Sequence, residues 1–334
     1  MELPSGLVLA PEQDRTLRQL IGLDERPEYD PAIAEDLRDR LVAGIGDRTT
    51  PGGVWVGKGR VAEWSQCEGL FAADLHDELP DFEHDERSAV GAVLHRAIQA
   101  DIELVGPSRG DASERFICAY AVGRLTTGER ADEAFTAFWG SCAPDAQGRI
   151  LAAAEEMLAT FRRVFPPLGA LRQSLKPSAE FRVKATIGTD VVRMSGVVDL
   201  ALGAAEPKPK ASAQADGPKA PPRATRLLID HKTGGAYREH VEDLRFYALL
   251  HTLQHGAPPY RVASYYAGSG EWQAEDITYE VLEHAADRAA SAARRAIDLL
   301  EGEAPELRAG PWCGWCPRAP GCATREASET AADA

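Results

Sequence analysis

The chain has 334 residues, of which 44% are hydrophobic, enough for two domains or for one domain with additions. Its 52 acidic and 37 basic residues leave a net charge of −15, which excludes a protein that coats nucleic acid through bulk charge but not one that gathers carboxylates around a divalent cation beside a local basic groove. No apolar run is long enough to cross a bilayer and the first residues do not read as a signal peptide, so a soluble, cytoplasmic protein without a membrane partner is expected.

Residues 1–57 carry helical periodicity in two pieces, through Asp14, Leu17, Leu20 and Ile21 and again through Ile33, Leu37, Leu41 and Val42, before Pro51-Gly52-Gly53 breaks it. We expect a helical N-terminal extension there, without chemistry of its own. Trp64-Ser65-Gln66-Cys67 then leads into a helix through Leu70, Phe71 and Leu75, and an acidic connector follows over 79–88. Residues 88–104 predict a helix with the apolar stripe Val90, Val93, Leu94, Ala97 and Ile98. Gly91 and His95 lie one turn apart on one face. A glycine there leaves room for a ligand or backbone to approach the imidazole; the plainer reading is a histidine at the core edge. Helical patterning continues through an insert of about 105–170, with breaks at Cys142-Ala143-Pro144 and Pro166-Pro167. Cys118 in this insert reads as a buried, inert thiol.

From Ala179 the period changes to two. Residues 179–187 and 191–202 predict a hairpin around Gly188-Thr189-Asp190. Gly196 marks a bend or a close approach, and Asp199, in the apolar run Val197-Val198-Asp199-Leu200, is a carboxylate that needs a strong partner. Residues 204–225 lack large apolar side chains and carry Lys208, Lys210, Lys219 and Arg223; they predict a flexible basic loop, either simply solvated or touching phosphates. In the next strand, over 226–232, Leu227, Leu228 and Ile229 run into Asp230 and Lys232, which alternation places on one face, and Gly234-Gly235 ends it. Taken alone, this pair is either an ion pair at a strand end or a catalytic strand. A helix over 240–253 follows, with Asp243, Tyr247 and Leu250 along one side, then strands over 260–267 and 271–279, an amphipathic helix over 281–300 and a polar tail, 326–334, expected to be disordered. Helix, hairpin, strand, helix and strand in that order predict a mixed α/β core with helices on a central sheet.

Two constellations carry chemistry. Asp199 and Asp230 offer hard oxygens suited to Mg²⁺ or Mn²⁺, with His95 as a further ligand; such a site activates water for phosphodiester hydrolysis, and Lys232 positions it. Glu180, at the head of the hairpin, is either an outer carboxylate or a surface residue. The six cysteines are unevenly spaced, which favours metal binding or free thiols over disulfides. Cys313, Cys316 and Cys322 form C-x2-C-x5-C. A tetrahedral zinc site or a 4Fe–4S cluster needs a fourth thiolate, and Cys67, opening a helix in a polar setting, is preferred to Cys142 or Cys118.

With these residues laid out, the chain from about 61 to 325 resembles the PD-(D/E)XK nuclease superfamily, in its RecB-like exonuclease branch, and within it the subgroup with an iron–sulfur staple, as in AddB-type nuclease domains. The family's G-x-x-x-H helix resembles Gly91-Ala92-Val93-Leu94-His95, its G-x-x-D strand Gly196-Val197-Val198-Asp199, and its D-x-K-T-G run Asp230-His231-Lys232-Thr233-Gly234. Its Q-x-x-x-Y helix falls on Asp243-Leu244-Arg245-Phe246-Tyr247, and its staple on Cys67 with Cys313, Cys316 and Cys322.

The resemblance implies a restriction-endonuclease-like mixed α+β core over 58–325, with a central mixed sheet flanked by helices and helical N-terminal additions. It implies that His95, Asp199, Asp230 and the His231 backbone carbonyl hold Mg²⁺ or Mn²⁺, that Lys232 orients the water, and that Tyr247 sits beside the scissile phosphate. It also implies a 4Fe–4S cluster on Cys67, Cys313, Cys316 and Cys322, with zinc as the alternative. Asp243 departs from the family glutamine: a carboxylate accepts where an amide can donate, so Asp243 either joins the metal shell or weakens the site. The expected function is a metal-dependent DNA nuclease, an exonuclease acting on single-stranded DNA or duplex ends in repair, recombination or defence. The alternatives are a catalytically weak DNA-binding subunit of a nuclease–helicase complex and a zinc-stapled interaction protein. No G-x-x-x-x-G-K-[ST] run occurs, so any helicase or ATPase motor is expected on a separate chain.

Overall fold

A computed structural model of the chain describes residues 7–22, 27–103, 112–129, 131–188, 192–203, 224–237 and 239–332. Most of the expected basic loop, including Lys208, Lys210, Lys219 and Arg223, lies outside the described residues.

Helix α1 (Pro11–Arg15) starts on a proline, whose missing N–H costs nothing at a first helical position, and passes into a wider π-helical turn over Thr16–Ile21. Helix α2 (Ile33–Ile45) buries Ile33, Leu37, Leu41 and Ile45, one residue per turn on one side. A strand that the pattern does not announce, β1 (Val54–Val56), comes next; three residues are too few for alternation to register. The helix expected around Cys67 is two helices, α3 (Lys58–Gln66) and α4 (Glu68–Leu75), with extended Cys67 ending one and opening the other.

Helix α5 (Glu86–Glu103) is followed by α6 (Glu114–Thr126), α7 (Glu133–Ser141), α8 (Pro144–Val164) and the single turn α9 (Arg172–Leu175). Ser113 and Asp132 cap α6 and α7 by accepting the N–H of Phe116 and Phe135. The hairpin is β2 (Ser178–Ile187) and β3 (Val192–Leu202), and β4 (Leu227–Lys232), α10 (Glu239–His255), β5 (Arg261–Tyr266), β6 (Glu271–Asp276) and α11 (Tyr279–Leu300) complete the core. The tail differs from expectation: α12 (Ala323–Ala332) runs through the segment that composition marks as disordered, because its alanines and glutamates are strong helix formers.

The six strands among the described residues join one mixed sheet, with β1, β3, β4, β5 and β6 side by side and β2 on β3. One helical layer, with α2, α10 and α11, covers the face carrying Val183, Val192, Met194, Leu228 and Val262. The other, with α5, α6 and α8, covers Leu200, Leu227, Ile229, Ala263 and Tyr265. Small residues let α2 and α11 approach closely: a Cβ on Gly44 would lie 2.7 Å from the Ala290 methyl. This is the mixed α/β architecture that the order of elements predicts.

The long strand β3 positions the site. Its whole length pairs antiparallel with β2, but its other edge is shared by two short strands. β1 runs parallel to its start, Val56 beside Met194. β4 runs antiparallel to its end, Ile229 beside Leu200. Both short strands therefore point their C-terminal ends at the stretch between Ser195 and Asp199. There the alternation of β3 slips: Val192, Met194 and Val198 face one helical layer, while Leu200 and Leu202 face the other. Across from the slip, between the pairs Ala179–Leu200 and Phe181–Val198, Glu180 takes a left-handed backbone with φ +51°, an uncommon and costly conformation for a non-glycine residue.

Candidate active site

Asp230 ends the buried part of β4 and is only 3% exposed. Its Oδ2 lies 2.6 Å from Lys232 Nζ, as same-face geometry requires. The ammonium meets that oxygen off the hydrogen-bonding direction, so Oδ2 is buried without a hydrogen bond. That oxygen is ion-paired to the ammonium rather than free, so a divalent cation held by Asp230 would lie alongside Lys232. Asp230 Oδ1 lies 3.8 Å from the ammonium of Lys58, the first residue of α3.

Asp199, at the slip in β3, is held from two sides. Its Oδ2 accepts the His231 N–H at 2.6 Å, and its Oδ1 lies 3.2 Å from His95 Nδ1. Burial works against its charge, but the charge of His95, the hydrogen bond from that ring and the His231 N–H override it, and the carboxyl is held well below the usual carboxylate range. His95 shows the reciprocal effect: burial alone would lower its pKa, but Asp199 raises it to about 9. Its Nε2 lies 3.2 Å from the His231 carbonyl oxygen. Gly91, one turn before His95, lies against the end of β4: a Cβ there would sit 3.5 Å from Thr233 Oγ1.

The His231 side chain points to the opposite layer, among His95, Phe161 and Tyr265, where burial lowers its pKa to about 4. Its backbone N–H and carbonyl contact Asp199 and His95, and its ring packs edge-on against the same His95 ring. From α10, Asp243 Oδ2 lies 3.5 Å from Lys232 Nζ and 3.6 Å from Lys58 Nζ. Tyr247, one turn on, lies flat against Gly196, where any Cβ would collide with its ring. Burial raises its hydroxyl pKa to about 12.

The geometry thus brings together His95, Asp199, Asp230, the His231 carbonyl, Lys232, Asp243 and Tyr247. It adds Lys58, which the sequence reading missed; its only signal was the tripeptide Gly57-Lys58-Gly59 before a helix. Glu180 is on the surface but acts electrostatically on His95. Among the described residues no three His, Cys, Asp or Glu side chains are already arrayed as metal ligands. The imidazole, carboxylates and carbonyl are instead bound to one another. They nevertheless fit a hard divalent cation by type.

The second constellation lies along the α3–α4 junction. Cys67 is buried and its Sγ accepts the Arg308 N–H at 3.4 Å. Beside it the Glu68 carboxylate takes the Glu306 N–H at 2.8 Å and pairs with Arg295. Cys316 has its thiol raised first by burial and then by the charges of Cys67, Cys313 and Cys322, so the four share one neighbourhood. Cys142 is half-buried at the α7–α8 junction, and burial pushes the Cys118 thiol up to about 12. Four thiols fit zinc or an iron–sulfur cluster by donor chemistry.

Comparison with known proteins gives one family. The family model described as the PD-(D/E)XK nuclease superfamily matches residues 59–323. Two solved structures are similar at the level of the chain trace. One, described as "Putative exonuclease" from Eubacterium rectale, has 10% identity and a TM-score of 0.45 over 80% of this chain and 88% of that one. The other, described as SSO0001, has 12% identity and a TM-score of 0.29 over 88% of this chain and 97% of that one. No curated protein matches.

Proposed function

Because the chain belongs to the PD-(D/E)XK nuclease superfamily, we propose that it is a metal-dependent deoxyribonuclease of the RecB-like exonuclease kind, hydrolysing phosphodiester bonds in single-stranded DNA or at duplex ends. The observation that carries this reading is Asp230: a buried carboxylate ion-paired to Lys232 on the same strand face and next to the His95–Asp199 pair. His95, Asp199, Asp230 and the His231 carbonyl would hold Mg²⁺ or Mn²⁺, which when bound polarises the phosphate and makes a water nucleophilic. Asp199 keeps the His95 ring in place. Lys232 orients the water and offsets charge developing on the phosphate. Tyr247, its ring packed on Gly196 and its hydroxyl beside Lys58, would lie next to the scissile phosphate.

The test is cleavage of labelled single- and double-stranded DNA with Mg²⁺ or Mn²⁺ by the wild type, Asp230→Ala and Lys232→Ala. Asp230→Ala should abolish cleavage, and Lys232→Ala should lower it by about 10²–10³-fold, with both proteins folded. Equal cleavage by all three would mean a contaminant. No cleavage by the wild type with any metal would leave the DNA-binding subunit as the better reading.

In the same proposal Cys67, Cys313, Cys316 and Cys322 hold a 4Fe–4S cluster that fastens the C-terminal segment to α3 and α4. The support is the shared electrostatic neighbourhood of the four thiols. Anaerobically purified protein should be brown, with iron and sulfide in equal amounts. A colourless preparation with stoichiometric zinc assigns the thiols to zinc instead.

A further inference from the structure

Lys58 reaches the site by an unusual route. In the register of β1 on β3, Val54 to Val56 lie beside Val192 to Met194; Lys58 opens α3 two residues on and reaches Tyr247, the ring that packs on Gly196. In the register of β4 on β3, Leu227 to Ile229 lie beside Leu202 to Leu200; carried on, Asp230 stands beside Asp199 and Lys232 beside Val197. The two strands converge head-on, and their ends deliver one lysine from each side. Two carboxylates span the ammonium groups: Asp243 with one oxygen, Oδ2, at 3.5 and 3.6 Å, and Asp230 with two, Oδ2 at 2.6 Å from Lys232 and Oδ1 at 3.8 Å from Lys58.

The Lys58 ammonium is placed but not consumed. It interacts with the Tyr247 hydroxyl and lies 5.2 Å from the centre of that ring. Its carboxylate neighbours stand at 3.6 and 3.8 Å, beyond the length of a hydrogen bond. An acceptor that came closer than these carboxylates would gain the hydrogen bonds they do not make. The side chain keeps 37% of its surface exposed and lines a cleft between α3, α10 and α11, whose charged walls are Asp243, Glu239 and Glu242 on one hand and Arg288 on the other.

Charge balance gives the donors a target. Asp199, Asp230 and Asp243, with Lys58, Lys232 and one divalent cation, sum to a single positive charge. That is the complement of one phosphodiester; without Lys58 the sum is zero. A desolvated anion is held well only where the surrounding charge is opposite.

We propose that Lys58 is a second lysine of the active site that contacts the substrate phosphate, and that Asp243 holds Lys58 and Lys232 apart at phosphate-spanning positions rather than serving as a metal ligand. The assignment rests on the nuclease reading. Lys58 is a substrate-contacting residue and Asp243 a positioning residue.

The experiment measures binding of a fluorescent single-stranded oligonucleotide across a salt series, with Ca²⁺ replacing Mg²⁺, for the wild type, Lys58→Met, Lys58→Arg, Asp243→Asn and the Lys58→Met/Asp243→Asn double variant. Thermal unfolding of each controls for the fold, and cleavage in Mg²⁺ is read in parallel. Lys58→Met should weaken binding about tenfold and reduce the salt slope by about 0.7, the share of one single-strand phosphate contact. Lys58→Arg should restore both. Asp243→Asn should cost binding in the wild type but little in Lys58→Met, since the two act as a unit. Lys58→Met with wild-type affinity and salt slope, in a preparation whose wild type cleaves DNA, overturns the assignment while leaving the nuclease reading intact. Strictly additive losses overturn the role given to Asp243. A wild type that neither binds nor cleaves DNA removes the nuclease reading and this inference with it.

Discussion

At Gly196 the absent side chain is the functional feature. The Tyr247 ring occupies the space a Cβ would need, so Gly196→Ala must push the ring off β3. The expected cost is about 1–3 kcal/mol of stability, as for other overpacked cores, together with loss of activity. Adding Tyr247→Leu should return most of the stability but not the activity, which chemical denaturation and cleavage assays separate. Individual residues differ in how legible they were. Asp230 and Lys232 could be read because strand alternation alone puts them on one face, and the structure sets them 2.6 Å apart. Asp199 could be read as a misfit carboxylate, but not the reversal of alternation that aims it, since the reversal depends on Glu180 across the hairpin. Lys58 could not be read at all: its position follows from the register of a three-residue strand, and register is not a local property of sequence. It also lies one residue before the stretch that matches the family.

Among the elements, α10 does two jobs. Its first turns present Asp243 and Tyr247 to the site, and its later turns bury His251, 3% exposed, against the sheet. Burial first, then the charges of His255 and Arg226, hold the His251 pKa well below its ordinary value. Its Nδ1 faces the Ala257 carbonyl oxygen at 3.0 Å, while Nε2 has no hydrogen-bond partner. The unfolded chain takes up a proton at this ring near pH 6.5 and the folded chain does not, so stability is full above that pH and falls as pH drops below it. Between pH 6.5 and 5.5 the loss from this one group should be about 1 kcal/mol. Thermal unfolding should show a shallower pH dependence over that unit in His251→Gln than in the wild type, whatever the variant does to absolute stability. An unchanged slope would mean that His251 is protonated in the fold. Long elements such as α8 and α11 were legible from their periodicity. The start of α4 at Cys67 was legible too, but the separate helix α3 before it was not, because it buries little beyond Val61 and so leaves no apolar stripe.

Across the whole molecule, the helical insert and the N-terminal segment turn out to be structural partners of the sheet. Helices α5, α6 and α8 build the layer over Leu200, Ile229 and Tyr265, while α2 contributes Leu37 and Leu41 to the layer on the other face. Periodicity revealed these helices but not which face each would cover, since that is decided by pairing distant in sequence. The neck of the basic loop has a separate consequence. Gly203, with φ +95°, sits so close to the Thr225 carbonyl that no side chain would fit, and its N–H is bonded to the Leu175 carbonyl oxygen. Leu202 and Leu227 are already paired below it. The strands are thus clamped at Gly203 and Thr225, so replacing residues 205–223 should leave the sheet intact. A four-residue Gly-Ser linker in their place shortens the closed loop by about two doublings, which lowers the closure cost by about 1.2 kcal/mol. The resulting protein should melt no lower than the parent, and a fluorescent reporter grafted at the same doorway would ride on a frame that does not register its presence.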